Sequence, residues 1–301
     1  LACSGLQPPI AVQRGAGFGS WFSPAAKSDD LLYVSDQLFN NVYVFSYPAL
    51  EPLETLTGFN FPEGLCSDTR GNVFITDLLA QRIIEYAHGG SKPIATLSGS
   101  GYPQGCSVDP VTGNLAVADY GSSGSPGNVA VFHRARGRPV LHIDPNMISF
   151  GNCGYDDSGN LFADGQKYGN APGLVELALH GSKLKDVELR KSFDGEGSVQ
   201  WDGRHLAIMG NSARSILRLS IVRYKGTIVG RTIIRSPKFS FSFSIQSGSL
   251  VLTYIPHHSK DTALGLWAYP RGGAPAKTLR QLVGIYGLTV SLARRHGPAR
   301  L

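Results

Sequence analysis

Apolar residues along this chain come in short runs, each bounded by glycine, proline, asparagine or aspartate, from Leu31-Leu-Tyr-Val34 onward. Runs of that length, rich in Val, Ile, Phe and Tyr, predict strands, and the polar punctuation between them predicts tight turns. No apolar period of 3.6 residues is sustained, so long helices are not expected. No apolar run approaches the ~18 residues of a membrane-spanning helix.

The runs repeat as a set. Three stretches align almost without gaps: Phe61-Pro-Glu-Gly-Leu-Cys-Ser-Asp-Thr-Arg-Gly-Asn-Val-Phe-Ile-Thr-Asp77, Tyr102-Pro-Gln-Gly-Cys-Ser-Val-Asp-Pro-Val-Thr-Gly-Asn-Leu-Ala-Val-Ala-Asp119, and Phe150-Gly-Asn-Cys-Gly-Tyr-Asp-Asp-Ser-Gly-Asn-Leu-Phe-Ala-Asp164. Each reads as a strand, an Asp-led Gly-Asn turn, and a second apolar strand ending in Asp. Gly-Asn suits a hairpin because both residues tolerate positive φ. Third strands follow at Val42–Phe45, Arg82–Tyr86, Val129–Phe132, Leu174–Leu177, Ile216–Leu219 and Leu264–Tyr269, and a fourth follows in several copies. The position of Asp77 falls at Asp36, Asp77, Asp119, Asp164, Gly210 and Tyr254, in steps of 41, 42, 45, 46 and 44 residues. That is the length of a four-stranded blade.

The fold class expected is therefore all-β, a six-bladed β-propeller of four-stranded antiparallel blades. The blades run near 20–60, 61–101, 102–149, 150–195, 196–241 and 242–288, after a linker at 1–19 and before a basic tail at 293–301. A partial seventh copy, Tyr286-Gly-Leu-Thr-Val-Ser-Leu292, matches a first strand and stops. A ring leaves two open edges unless the termini share a blade. Thr289–Leu292 is expected to pair with the first blade and close the ring, in competition with Trp21–Ser23.

The Pro-x-Gly, Asp-x-x-Gly-Asn, apolar-x-Asp and Arg-Ile-x-x-Tyr pattern resembles NHL repeats and the SMP-30/gluconolactonase-like propellers, over about residues 20–292. The resemblance implies architecture more than activity, since such folds host binders and enzymes alike. It implies a site on the central channel and on the face formed by the loops entering each inner strand and those between strands two and three. The entering loops supply the ligand-binding candidates Glu63, Gln104, Asn152, Glu196 and Tyr286, with Ser242. The second loops supply Asp36, Asp77, Asp119, Asp164, Asn211, His257 and His258. Enzymes of the gluconolactonase-like group hold one divalent metal with Glu, Asn and Asp. That role would fall here to Glu63, Asn152 and Asp164, or to Asp202 as the third ligand, with Ca2+ as a cofactor. A lyase would want His258 with Glu196, so the catalytic candidates are Glu196, His257 and His258.

The aspartates that recur in every blade read as acceptors for backbone N–H groups in their own turns. Positions where blades differ are better candidates for function. Cys66, Cys106 and Cys153 fall on inner strands, near the top of the channel, and allow one disulfide, Cys66–Cys106 or Cys106–Cys153.

Charge adds a partner class. Residues 1–200 carry a net −7 and residues 201–301 a net +13 within a formal total of +6. A basic sector in blades 5 and 6 suits an anionic surface: lipid headgroups or acidic polysaccharide. No interleaving of Arg and aromatics marks a nucleic-acid platform, so nucleic acid is not expected. Leu1-Ala-Cys3-Ser-Gly5 resembles the end of a bacterial lipoprotein signal, with Cys3 lipidated. The sequence thus leads to an exported, lipid-anchored, non-catalytic propeller that binds a small molecule, glycan or protein at the channel face. The competing expectation is a metal-dependent hydrolase (lactonase) or lyase.

Overall fold

The computed structural model describes residues 28–122, 124–189, 193, 197–209 and 214–294. The chain forms six sheets in a ring, a six-bladed β-propeller. Blade 2 shows the plan: Pro62–Ser67, Val73–Asp77, Arg82–Tyr86 and Pro93–Ser98 follow one another outward from the channel, all antiparallel. The inner strands of blades 3 to 6 are Pro103–Val108, Met147–Tyr155, Val199–Trp201 and Pro237–Gln246. Blade 5 carries a fifth strand, Glu188–Leu189, parallel to Lys225–Ile233. His133–Ala135 forms a single 3-10 turn.

The second strand of each blade is buried on both faces, which is why the sequence shows apolar runs rather than strict alternation. Leu31 and Tyr33 enter the cluster between blades 1 and 2 with Leu65 and Ile75. Leu32 and Val34, pointing the other way, join Val251 and Leu264 of blade 6. The same alternation produces one apolar cluster at each of the other four blade junctions. Tyr254 and Trp267 meet edge to face at 5.4 Å between centroids in blade 6.

The ring closes through the C-terminal strand. Ile285–Ser291 is the innermost strand of blade 1 and pairs antiparallel with Leu31–Asp36, followed by Asn41–Ser46 and Pro52–Leu56. The register runs Leu31 to Ser291, Tyr33 to Thr289 and Asp36 to Ile285. The strand begins four residues before the expected Thr289 and ends before Leu292. The reason is packing: Gly287 lies so close to blade 2 that a Cβ there would stand 2.0 Å from the Glu63 carbonyl oxygen. Trp21–Ser23 lies outside the described residues.

A hydroxyl stitches adjacent inner strands in three blades. The Gly64 N–H donates to Thr76 Oγ1 (2.8 Å), and that hydroxyl donates to the Gln104 carbonyl of the next blade (2.5 Å). Ser35 repeats the relay, accepting from Gly287 N–H (2.8 Å) and donating to Glu63 O (2.6 Å). Thr253 does so between Ser242 N–H and Tyr286 O. These residues precede the repeat position of Asp36, Asp77 and Tyr254, where blades 3 and 4 have Ala118 and Ala163. A hydroxyl in that slot was the sequence signal for them.

Candidate functional site

The central channel opens into a cavity of 360 Å³ toward the end where inner strands turn into second strands. Cys66, Cys106, Ser107, Asn152, Ser198 and Ser244 are among its lining residues. The wall is mixed: hydroxylated inner-strand residues such as Ser107, Ser198 and Ser244 alternate with Leu65, Val199 and Phe243.

The aspartates of this region are committed to backbone. Asp68 Oδ1 accepts from Arg70 and Asn72 N–H groups, and Asp156 Oδ1 from Ser158 and Asn160, all at 2.8–2.9 Å. On the other face Asp36 Oδ1 accepts from Leu38 and Phe39 N–H groups, and Asp77 Oδ1 accepts from Asn60 N–H. Asp77 also holds Arg82 at 2.8 Å. Asp164 accepts Asn152 N–H on one oxygen and Gly197 N–H on the other, both at 2.8 Å. Asp36, Asp68 and Asp156 thus cap their own turns, whereas Asp77 and Asp164 tie down backbone elsewhere in the chain.

Of the rim candidates among the described residues, Asn152 and Ser242 line the channel cavity, Asn152 beside the inner strand of blade 3: a Cβ on Gly105 would meet its Oδ1 at 2.3 Å. Gln104 is half-buried, and its carbonyl serves the Thr76 relay. Tyr286 packs at a tilt against Phe241, with ring centroids 5.4 Å apart. His257 and His258 are exposed in the turn after the second strand of blade 6, with rings 6.1 Å apart. Glu196 and Asn211 lie outside the described residues, as does Cys3.

Glu63 stands between blades 1 and 2, two blades round the ring from Asn152. It is 5 % exposed, and its Oε2 meets no partner. Burial pushes its carboxyl up to about 7, opposed by a hydrogen bond from Gln37. Among the described residues no three His, Cys, Asp or Glu side chains come together as metal ligands.

The cysteines sit further down the channel than the sequence suggested, because each follows the midpoint of its strand. Cys66 and Cys106 form a disulfide across blades 2 and 3. Cys153 is a buried thiol, its ionisation pushed up first by burial and then by Asp164.

Glu63 yields a pH-dependent expectation. A carboxyl that titrates near 7 when folded and near 4.5 when unfolded gives the folded state the greater proton binding in that window. Its contribution to stability is complete below the unfolded value and is lost as pH rises through the folded one. Glu63→Gln should therefore melt higher than the parent at pH 8, by about 1–3 kcal/mol in stability, and converge with it near pH 4.5. Thermal melts across that range check this; an unchanged pH slope would count against it.

No protein-family model matches the chain, and no curated protein matches it. Solved structures do. One is a chain of a nidogen/laminin complex: 14% identity, TM-score 0.71, covering 88% of this chain and 100% of that one. A protein of unknown function from Bacteroides caccae is similar at 14% identity and TM-score 0.64, covering 88% and 99%. A functionally unknown protein from Desulfotomaculum acetoxidans follows at 12% identity and TM-score 0.58, covering 89% and 100%. At such identities the likeness is one of fold.

Proposed function

We propose that this chain is a non-catalytic ligand- or protein-binding scaffold, exported and lipid-anchored through Cys3, that presents its basic sector to an anionic partner. The observation that carries this reading is the state of the bases in blades 5 and 6. Arg231, Arg235, Lys238 and Arg280 are exposed, and among the described residues of these blades Lys277 alone forms an ion pair, with Glu51 at 3.8 Å. Unpaired surface charge of one sign steers oppositely charged partners and resists self-association. The channel supports the same reading, since Asp68 and Asp156 in its wall spend their oxygens on backbone N–H groups and neighbouring Asn amides. The similar chain from the nidogen/laminin complex was solved in a complex of proteins, a use of the fold that needs no chemistry.

Co-sedimentation tests the reading, with vesicles containing anionic or zwitterionic lipid and with an acidic polysaccharide. Binding to anionic targets is expected at low salt. It should vanish in roughly 1 M salt, where the screening length is about 3 Å, and in an Arg231→Ser/Arg235→Ser variant. Salt-insensitive binding, or lactonase activity restored by calcium, zinc or manganese, would contradict it.

A further inference from the structure

Between blades 5 and 6, at the same end as the channel cavity, lies a second cavity of about 650 Å³. Its walls include Trp201, Arg204, His205, Arg218, Gln246 and Tyr269. That volume is in the range of small-molecule sites.

Arg218 is out of place by sequence pattern, interrupting the apolar strand Ile216-Leu-Arg-Leu219. Leu217 and Leu219 pack toward blade 4, so the alternation of a strand turns Arg218 toward blade 6. Opposite it in the register is Gly230, where a Cβ would stand 2.3 Å from Nη2. Glycine thus leaves the room in which the guanidinium lies. The Arg218 Nε is buried and meets no acceptor.

The acid in this cavity wall does not answer that charge. Asp202 Oδ1 accepts from Arg204 N–H (2.9 Å) and His205 N–H (2.7 Å), and Oδ2 accepts from the Tyr269 hydroxyl (2.7 Å). Arg218 forms no ion pair among the described residues. A half-buried guanidinium left unpaired is costly, and a planar carboxylate is the partner its fork fits best. The remaining walls choose among carboxylates. Trp201 and Tyr269 offer aromatic surface, and Gln246 offers an amide that both donates and accepts. A ring with apolar C–H faces, several hydroxyls and one carboxylate matches all three.

We propose that this cavity binds a uronate-type sugar acid, its carboxylate held by Arg218. The inference deepens the scaffold reading and rests on it, naming a ligand class for a chain taken to bind anions. Titration of the purified chain with glucuronate, followed by Trp fluorescence and by the shift in melting temperature, tests it against glucose. The parent should bind glucuronate at least tenfold more tightly than glucose. Arg218→Gln should lose that preference, while Arg231→Ser/Arg235→Ser keeps it. Equal affinity for the two sugars in the parent would overturn the proposal without reference to any variant. So would an unchanged preference in Arg218→Gln. Failure here with vesicle binding intact overturns the cavity alone. Loss of both would fall on the scaffold reading.

Discussion

A chain ending at Gly284 should not fold into a closed ring. Ile285, Leu288 and Val290 are at most 5 % exposed and fill the junction between blades 6 and 1. Burying an aliphatic side chain of that size contributes about 1.5–3 kcal/mol. Three of them approach a domain's whole net stability of about 5–15 kcal/mol. Truncation would also expose the edge of Leu31–Asp36, a template for aggregation. It would leave the Ser35 hydroxyl without its Gly287 donor. Gly287→Val should reproduce much of the loss, because its Cβ would run into the Glu63 carbonyl. Yield of soluble protein, circular dichroism and limited proteolysis read the outcome. A truncated chain that melts cooperatively near the parent's midpoint would contradict the closure.

The second large effect concerns the disulfide. Cys66 and Cys106 are 40 residues apart, and closing a loop of that length contributes about 4 kcal/mol in the chain-entropy model. It also staples blade 2 to blade 3 at the channel wall. Reduction, or Cys66→Ser/Cys106→Ser, should lower the unfolding free energy by an amount of that order and move the denaturation midpoint down with it. Cys153 should not substitute for either partner, since its buried thiol holds its proton and exchange needs a thiolate. Alkylation should therefore spare Cys153 in the native chain and modify it once denatured. Equal midpoints with and without reductant would refute the claim.

Local chemistry was the part of the fold legible in the sequence. The turn at Asp68 is specified within five residues: its carboxylate accepts from Arg70 and Asn72, and Gly71 takes positive φ. A repeat built of such turns reveals itself, and so did the blade count. The start of the closing strand at Ile285 was less visible, because it depends on a close approach to Glu63, far away in sequence. The site was harder still. Asp36 takes the N–H groups of its own turn, as its recurrence indicated, whereas Asp77 and Asp164 accept from Asn60, Asn152 and Gly197, which lie outside their own turns. Glu63 was marked as a departure from the repeat, but its buried, unpartnered oxygen follows from how blades 1 and 2 meet. Arg218 went unmarked because it sits on a third strand, outside the loops where the resemblance pointed. Its one sequence signal was a charge in an apolar run.

The central claim is that partners meet the basic blades and that the channel rim performs no chemistry on them. One binding series decides it most directly, comparing Arg231→Ser/Arg235→Ser with Glu63→Gln/Asn152→Ala against the same anionic target at low salt. The account predicts that the arginine variant loses binding and the rim variant keeps it. Binding lost in the rim variant and kept in the arginine variant, with both chains folded, would contradict it.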